Sequence, residues 1–393
     1  MDYLNKTHLH IAGDKVNSPS FRLPLVSVIV VNYNYGRFLK QAVDSVFEQT
    51  YPNIECIIVN DASTDGSADV LLAIAKQNPG TKILRRSDNG GQSLASKEGF
   101  EASSGEYVVF LDADDFLLPS FVETHIFVHL SLRIPVGLTS SDIIQAVESR
   151  MVLSTFFSFS EYIRSGRGKR SDLFRRIDES APEAWPLKSP NAAIEHQLHF
   201  VEPCDIGTWY WAPTSGNCYR RDALLLFLNN EELAQNRRST DSYLILGISG
   251  LMGSVLIDRA LSVYRMHGTN VFSNHPSLYC MVNYERNAHS DSKVRSRKSL
   301  IDHLIANSAL FLAKTYSKDH YILLLKVLDK ARPHIPSTVA GCRSYLAGKL
   351  VSEPMMLAQE LGLSAFIRLL VWLKVAPQVI LLTCLRCKNK KRT

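Results

Sequence analysis

The sequence lacks the features of secreted, disulfide-bonded and membrane-spanning proteins. It has no uncharged apolar stretch of about 18 residues or more, so no spanning helix is predicted. The N-terminus has no apolar run of the kind that forms a secretory signal. The seven cysteines have no regular spacing, and this odd number in a chain of 393 residues argues against a disulfide scaffold. A cytoplasmic location is therefore expected.

Two phosphate-binding motifs are also absent. No G-x-G-x-x-G follows the first predicted strand, and no G-x-x-x-x-G-K-[ST] occurs, which excludes the usual dinucleotide and P-loop devices. The net charge of +6 is concentrated at one end, because residues 386–393 hold five basic side chains and no acid and leave 39 basic against 38 acidic residues in 1–385. This distribution favours a membrane surface over nucleic acid as the partner.

Strands and helices alternate after a polar leader at residues 1–24. Apolar β-branched runs predict strands at 26–32, 54–59, 82–85 and 106–111, with helices between them at 39–47, 67–76 and 92–102. This alternation indicates a parallel, three-layer α/β sheet. Beyond it we expect an inserted, partly mobile segment at 131–205, a pair of strands within 255–265, and helices from about 290 onward.

Asp112, Asp114 and Asp115 directly follow the fourth predicted strand. In an extended segment residues i and i+2 point the same way, so Asp112 and Asp114 can share one target. Carboxylates this close repel each other unless a cation neutralises them, and a hard divalent ion commonly bridges carboxylates to phosphate oxygens. We therefore predict a metal site here, in preference to a solvated acidic turn or a helix cap.

Asp61 and the Gly90-Gly91 pair each have two interpretations. Asp61 follows the second strand, where it either caps the next helix or accepts hydrogen bonds from a base or ribose. The two glycines either let the backbone approach a ligand or form a tight turn. Because ligands bind at the carboxyl ends of parallel strands, we expect Asn32, Asp61 and Asp112 to lie along one edge of the sheet.

Three segments and a glycine turn resemble, in this order, the nucleotide-sugar-binding half of a family 2 glycosyltransferase: VSVIVVNYN (26–34), VNDASTDGS (59–67), Asn89-Gly-Gly and FLDADD (110–115). Three later segments resemble the family's acceptor half: TSGNCYRR (214–221), TDSYL (240–244) and LSVYRMH (261–267). The resemblance implies a GT-A-type three-layer α/β/α sandwich with a mostly parallel sheet at 25–275. Its nucleotide-sugar-binding half would be 25–130 and its acceptor half, with the insertion, 131–275. A helical C-terminal region with a basic tail would follow at 276–393.

The resemblance also implies a role for each matching residue. Asp241 matches the catalytic base, Asp61 the carboxylate that contacts the nucleobase, and Asp114 the direct ligand of Mn or Mg. Asp112 would contact the ribose or a metal-bound water and is counted with the metal site. The other implied donor contacts are Asn32, Asn34, Asp65, Lys97 and Arg265. His267 is the third implied metal ligand, and Gly216 is the implied acceptor contact. Independently of the resemblance, Trp209 and Trp211 are aromatic candidates for stacking on sugar rings at the acceptor side.

The sequence departs from the family pattern at three places. Lys97 stands where the family often has arginine, and we expect it to take over that role. The base is usually preceded by another acid, whereas Thr240 precedes Asp241, so Glu231 and Glu232 remain alternative bases. No Gln-x-x-Arg-Trp sequence follows, which argues against a processive polysaccharide synthase.

Other signals favour packing over chemistry. His125 and His129 lack a third metal ligand nearby in sequence, and Cys384-x-x-Cys387 lacks the second pair that a zinc site needs. Trp209 and Trp211 are explained equally well as core aromatics. Residues 363–385 predict either a buried helical hairpin or a helix that lies on a membrane, and the basic tail favours the membrane.

These observations predict a metal-dependent inverting glycosyltransferase with a nucleotide-sugar donor and a glycan or lipid-linked acceptor, in bacterial cell-surface polysaccharide synthesis. We expect it in the cytoplasm, with a peripheral contact to the inner face of the membrane and no nucleic-acid partner. Two alternatives stay open: transfer to a polyprenyl phosphate, and a non-catalytic nucleotide-sugar-binding assembly protein.

Overall fold

A computed structural model describes residues 22–389, apart from 148, 191–192, 232, 234–235, 269 and 271–289. Most of the predicted leader and residues 390–393 of the predicted tail therefore lie outside the described residues. Ten strands are β1 Val26–Asn32, β2 Ile54–Asn60, β3 Lys82–Arg85, β4 Tyr107–Asp112, β5 Phe116–Leu117, β6 Leu138–Val147, β7 Arg150–Leu153, β8 Leu198–Val201, β9 Asn217–Arg220 and β10 Ser254–Met266.

Helices surround this sheet and form the C-terminal part of the described chain. They are α1 Gly36–Phe47, α2 Ser67–Gln77, α3 Gln92–Glu101, α4 Phe121–Ser131, α5 Phe157–Arg164, α6 Ile177–Ser180, α7 Arg221–Leu228, α8 Thr240–Met252, α9 Ser290–Ala306, α10 Ser308–Lys314, α11 Lys318–Lys330, α12 Tyr345–Ser352, α13 Pro354–Leu361, α14 Leu363–Trp372 and α15 Pro377–Asn389. Short 3-10 turns at Pro182–Ala184, Ile194–Gln197 and Thr214–Gly216 complete the assignment.

The strands form one sheet in the order β3-β2-β1-β4-β9-β6-β10-β5, with β7 beside β6 and β8 beside β10. Strands β3, β2, β1 and β4 pair in parallel, whereas β9 runs antiparallel to both β4 and β6. Side chains of a strand alternate between faces, so Val28 and Val30 pack with α1 and α2 while Ile29 packs with α3. The three-layer prediction is confirmed, with a sheet that is parallel in its first half and mixed beyond.

Two sequence predictions for the second half were wrong. Residues 131–205 are not a mere insertion, because β6 lies inside the sheet between β9 and β10 and most of it is buried. Residues 255–265 form one strand rather than two, since β10 continues through a register shift near Asp258 and Ala260 that absorbs the polar residues as a bulge.

The C-terminal helices share a core with the sheet domain. Leu300, Phe311 and Tyr321 belong to the same buried cluster as Phe227 of α7 and Tyr243 of α8. The rings of Phe227 and Phe311 lie 5.4 Å apart. Within the described residues, no helix combines the length and apolarity that a membrane span requires.

His125 and His129 are packing residues. His125 is fully buried, with its Nδ1 atom 2.6 Å from Thr139 Oγ1, and His129 Nε2 lies 3.3 Å from the Cys218 carbonyl oxygen. Burial lowers the pKa of both rings, and that of His129 to about 3. In the part of the chain that the structure describes, no three His, Cys, Asp or Glu side chains form a ready metal cage.

Candidate active site

The polar strand ends lie along one edge of the sheet. Asn32, the last residue of β1, pairs in register with Asn60 of β2, and Val31 pairs with Asp112 of β4. Asp61 follows β2 directly, and its backbone N–H donates to the Asn32 carbonyl oxygen at 2.9 Å. The common edge predicted from the parallel strands therefore exists, because the carboxyl ends of β1, β2 and β4 are level.

The three carboxylates after β4 have different surroundings. Asp115 is buried, accepting from Ser215 Oγ at 2.7 Å and from the Arg265 backbone N–H at 3.0 Å. Asp114 Oδ2 lies 3.0 Å from His267 Nε2. Asp112 Oδ1 accepts from Gln92 Nε2 at 2.9 Å. Asp115 therefore holds the loop in place, while Asp112 and Asp114 line the cleft beside it.

The charges of these groups act on each other. Burial and the neighbouring carboxylate of Asp114 raise the pKa of Asp112 to about 7. Burial, with the charges of Asp114 and Asp112, raises the pKa of Asp115 well above its usual range. Burial and the same acids raise the pKa of the Tyr35 hydroxyl. Negative charge is therefore in excess here, a condition that a bound cation relieves.

The cleft has a volume of about 350 Å³ and joins the two halves of the domain. Its walls carry the acids at the carboxyl ends of β2 and β4, an acid in the first turn of α8, and two arginines that precede α8. The lining residues are Val31, Tyr33, Tyr35, Asp61, Asn89, Gly91, Gln92, Asp112, Asp114, Pro213, Thr214, Arg237, Arg238, Ser239, Asp241, Tyr264 and Asn270. Asp61, the Asp112 and Asp114 pair, and Asp241 come from three distant parts of the sequence and thus face one space.

Asp241 lies in the first turn of α8. Its Oδ1 atom accepts from the Ser242 backbone N–H at 2.7 Å, and burial raises the pKa of its carboxyl. Thr240, the departure from the family pattern, lies with its Oγ1 atom 2.7 Å from Ser93 Oγ of α3. The hydroxyl thus joins the two helices at the cleft. Of the alternative bases, Glu231 does not line this cleft and Glu232 lies outside the described residues.

Asp61 organises the glycine turn. Its two carboxylate oxygens accept from the backbone N–H groups of Gly90 and Gly91, each at 2.8 Å, and Arg86 Nε lies 2.8 Å from Oδ1. Gly91 has φ of +85°, and a Cβ atom there would lie 2.5 Å from the Arg237 carbonyl oxygen. Gly91 therefore forms a tight turn and allows the backbone of Arg237 to approach closely, while contact of its backbone with a ligand stays a prediction.

Several residues that the resemblance assigns to binding of the nucleotide-sugar donor form hydrogen bonds within the protein instead. The buried Asn32 amide donates to Asn60, Ser63 and Ser67. Asn34 Oδ1 accepts from the Thr64 N–H, and Asp65 accepts from the Gly36 and Ser67 N–H groups that begin α1 and α2. These three side chains stabilise the loops behind the cleft and do not line it.

Lys97 and Arg265 also lie outside the lining of the cleft. Lys97 Nζ lies 3.9 Å from Glu101 Oε1 on the outer part of α3. The buried Arg265 guanidinium donates to Gln41 at 2.7 Å and lies 4.5 Å from the centre of the Phe38 ring. That ring also contacts His267, with centroids 4.8 Å apart, so Phe38 packs against both Arg265 and the imidazole.

The three residues assigned to the acceptor belong to the scaffold. Trp211 is fully buried, and its indole N–H donates to Ser254 Oγ at 2.8 Å. A Cβ atom on Gly216 would lie 2.4 Å from that of Ala212, so this glycine is needed for packing. The half-buried Trp209 packs edge-on against Trp211. The structure brings none of them to the cleft, whose nearby wall is formed by Pro213 and Thr214.

Sequence reasoning missed Gln92, Tyr35, Arg237 and Arg238. Gln92 begins α3 directly after the glycine turn, a position that is adjacent to the strand ends in any such fold and could have been noticed. The two arginines carry no such signal. They reach the cleft because the Gln92 N–H donates to the Arg237 carbonyl oxygen at 2.9 Å, a contact between residues 145 positions apart.

Comparison with known proteins identifies the family. The model of glycosyl transferase family 2 matches residues 27–176. An uncharacterized glycosyltransferase of Nostoc sp. is 31% identical over 252 residues, which are 64% of this chain and 67% of that protein. The chain belongs to glycosyltransferase family 2. The family and the three-layer architecture together give the GT-A fold with added C-terminal helices, and the chain is a glycosyltransferase.

Other relatives match over shorter spans. The putative teichuronic acid biosynthesis glycosyltransferase TuaG of Bacillus subtilis is 40% identical over 92 residues, 23% of this transferase and 36% of that protein. The crystal structure of S. aureus TarS 1-349 in complex with UDP has a TM-score of 0.47 at 13% identity and covers 88% of this chain and 80% of its own.

Proposed function

We propose that this glycosyltransferase moves a sugar from a nucleotide-sugar donor to a hydroxyl of a glycan or lipid-linked acceptor, with a divalent metal and with inversion at the anomeric carbon. The observation that carries the proposal is the convergence of Asp61, Asp112, Asp114 and Asp241 on one cleft. A role in bacterial cell-surface polysaccharide synthesis is supported by the name of the relative TuaG. The proposed location is the cytoplasm, at the inner face of the membrane when the acceptor is lipid-linked.

The potential metal ligands of this site suit a metal ion that binds together with the phosphates of its substrate. Mg²⁺ and similar ions are commonly held by one or two carboxylates plus substrate phosphates rather than by a complete protein cage. Asp112 and Asp114 would supply oxygen ligands, and His267 stands beside Asp114 as a further ligand or as its hydrogen-bond partner. When bound, Mn or Mg would offset the negative charge that develops on the departing diphosphate.

Asp241 would act as the general base. It faces the cleft from α8, opposite the acids of β4, so an acceptor hydroxyl could lie between Asp241 and the anomeric carbon. Burial raises the pKa of its carboxyl, which strengthens it as a proton acceptor. The hydroxyl loses its proton to Asp241 as its oxygen attacks from the face opposite the nucleotide. A single displacement of this kind inverts the configuration.

Substitution at Asp241 tests the base. We expect Asp241→Asn to lower transfer to a hydroxyl acceptor about 100-fold or more, since the amide cannot accept the proton. Binding of the nucleotide should change little. Asp69→Asn is the matched control, because Asp69 lies in the first turn of α2 and is exposed. Full turnover by Asp241→Asn would refute the base assignment.

Donor hydrolysis tests the metal site separately from the acceptor. We expect slow release of the free sugar to require Mn or Mg and to be lost in Asp114→Ala. A screen of nucleotide sugars for metal-dependent thermal stabilisation would first identify the donor. Hydrolysis that persists in excess chelator would contradict metal dependence.

Transfer to a polyprenyl phosphate predicts a different result. A phosphate monoester has a second pKa near 6, so its attacking oxygen carries no proton at neutral pH. With that acceptor, Asp241→Asn should keep most of its activity above about pH 7, whereas with a hydroxyl acceptor the loss of about 100-fold or more should persist at every pH. Comparing the two acceptors with one pair of enzymes distinguishes the reactions.

A further inference from the structure

The exposed side of α15 consists mainly of leucines. Leu381, Leu382 and Leu385 are 63%, 58% and 48% exposed, and Arg386 is exposed beside them. Thr383 and Cys387 on the other side of the helix are buried. The prediction for residues 363–385 left a buried helical hairpin and a helix that lies on a membrane as alternatives. In the structure one side of α15 packs on the core and the other presents three leucines. We call Leu381, Leu382, Leu385 and Arg386 the α15 face.

The segment of sequence that contains this face carries positive charge only. Residues 363–393 contain no acid and seven basic residues, namely Arg368, Lys374, Arg386, Lys388, Lys390, Lys391 and Arg392. At the end of α14, Val371 is 60% exposed. The next residue, Trp372, lies under the ammonium groups of Lys326 and Lys330 of α11, each 4.6 Å from its ring. The two helices α14 and α15, which contact each other, thus carry cations, a tryptophan and exposed aliphatic side chains.

We propose that the α15 face binds the surface of a bilayer that contains anionic lipids. The leucines would enter the boundary between headgroups and acyl chains, and Arg386 with the neighbouring cations would contact lipid phosphates. Tryptophan is enriched at the same depth. The 13 residues of α15 extend about 20 Å, which is too short to cross a hydrocarbon core of about 30 Å. The helix therefore lies along the membrane.

The charge favours lipid over a protein partner or a second copy of the chain. A self-complementary interface would bring the cations of residues 363–393 against each other, with no acid from the same segment to pair with them. An anionic bilayer offers a continuous layer of negative charge that accepts every cation at once. The inference does not depend on the proposed transfer chemistry, because no residue of the α15 face lines the cleft.

Flotation of the full chain with vesicles tests the inference. We expect binding to vesicles of phosphatidylcholine mixed with phosphatidylglycerol and little binding to phosphatidylcholine alone. The variant L381S/L382S/L385S should lower the partition coefficient about tenfold or more. The matched control L72S/M151S/L225S removes three similarly exposed apolar side chains from α2, β7 and α7 and should bind like the wild type. Arg386→Gln should weaken binding and reduce its dependence on salt.

Three results would overturn the inference: absence of binding to anionic vesicles, equal binding to neutral ones, or equal binding by the leucine variant and its control. Light scattering tests the alternative that a second copy of the chain binds the α15 face. A wild-type dimer that becomes a monomer in the leucine variant would assign the face to self-association. Thermal unfolding checks that each variant folds, and Leu382→Glu replaces the triple variant if that one does not. Donor hydrolysis in solution should be unchanged in the leucine variant, which separates this test from that of the active site.

Discussion

Arg238 is an exposed cation at the edge of an acidic cleft. A nucleoside diphosphate carries its charge on the diphosphate, and guanidinium groups bind such oxygens well. We predict that Arg238→Ala weakens binding of the matching nucleoside diphosphate about tenfold, whereas binding of the nucleoside alone is unchanged. Calorimetric titration with both ligands measures the difference. Arg133→Ala, at an exposed arginine away from the cleft, is the control. An equal loss for both ligands would assign Arg238 to the nucleoside instead.

At Gly91 backbone geometry and a neighbouring carbonyl oxygen both limit substitution. Its φ of +85° disfavours any side chain, and a Cβ atom would clash with the Arg237 carbonyl oxygen. We predict that Gly91→Ala lowers the free energy of unfolding by about 1–3 kcal/mol and also weakens nucleotide binding. Chemical denaturation with and without nucleotide measures both effects. Gly207→Ala, where a Cβ atom meets nothing within 4 Å, should change neither.

Glu55 links the neighbouring strands of the N-terminal half of the sheet through its side chain. It lies on β2 and accepts from Ser27 of β1 at 2.7 Å, from Lys82 of β3 at 2.8 Å and from the Ser104 N–H before β4 at 2.5 Å. Burial alone would raise the pKa of this carboxyl, but these bonds outweigh it and lower the pKa to about 2. The ionised form thus stabilises the folded state.

The lowered pKa of Glu55 predicts a pH-dependent stability. Because the folded value lies below the unfolded value of 4.5, the contribution is complete above about pH 5 and is lost as the pH falls toward 2. We expect Glu55→Gln to destabilise the protein by about 1–2 kcal/mol at pH 7, a figure reduced for solvent screening, and by almost nothing near pH 2. Urea denaturation across this range measures it. Glu101→Gln, at an exposed acid of α3, should give no such pH dependence.

The same elements show how far sequence reasoning reaches. The first four strands and the helices between them were predicted to within a few residues, because apolar runs and turn residues are local signals. Strand β6 was missed since Thr139, Ser140, Ser141 and Asp142 interrupt its apolar pattern. Their polar groups are satisfied inside the protein, as when Asp142 accepts from the Ile143 and Phe156 N–H groups.

The candidate site likewise has a part that the sequence predicts and a part that it does not. The acids follow strands or begin a helix, so their positions could be read from local pattern and family resemblance together. Which side chains line the cleft could not be predicted, because that depends on packing. Asn32 and Asp65 use their polar groups to hold loops, and Trp211 completes the core.

At the scale of the whole molecule, one core joins the catalytic domain to the C-terminal helices. Phe311 is fully buried against Phe227, and Leu310 next to it is 43% exposed. We predict that Phe311→Ala lowers the free energy of unfolding by about 3–5 kcal/mol and Leu310→Ala by less than about 1 kcal/mol. Circular dichroism and loss of nucleotide binding should follow one common transition. Two separate transitions would show that the helices fold independently.

The contacts of Asp115 determine when the cleft can form during synthesis of the chain. Its two carboxylate oxygens hold Ser215 and Arg265, which lie 100 and 150 positions further along the chain. A nascent chain on the ribosome therefore cannot complete the cleft until the last strand of the sheet has emerged. A product that ends before Arg265 lacks one of the two contacts of Asp115, so its acidic loop is not fully held in place.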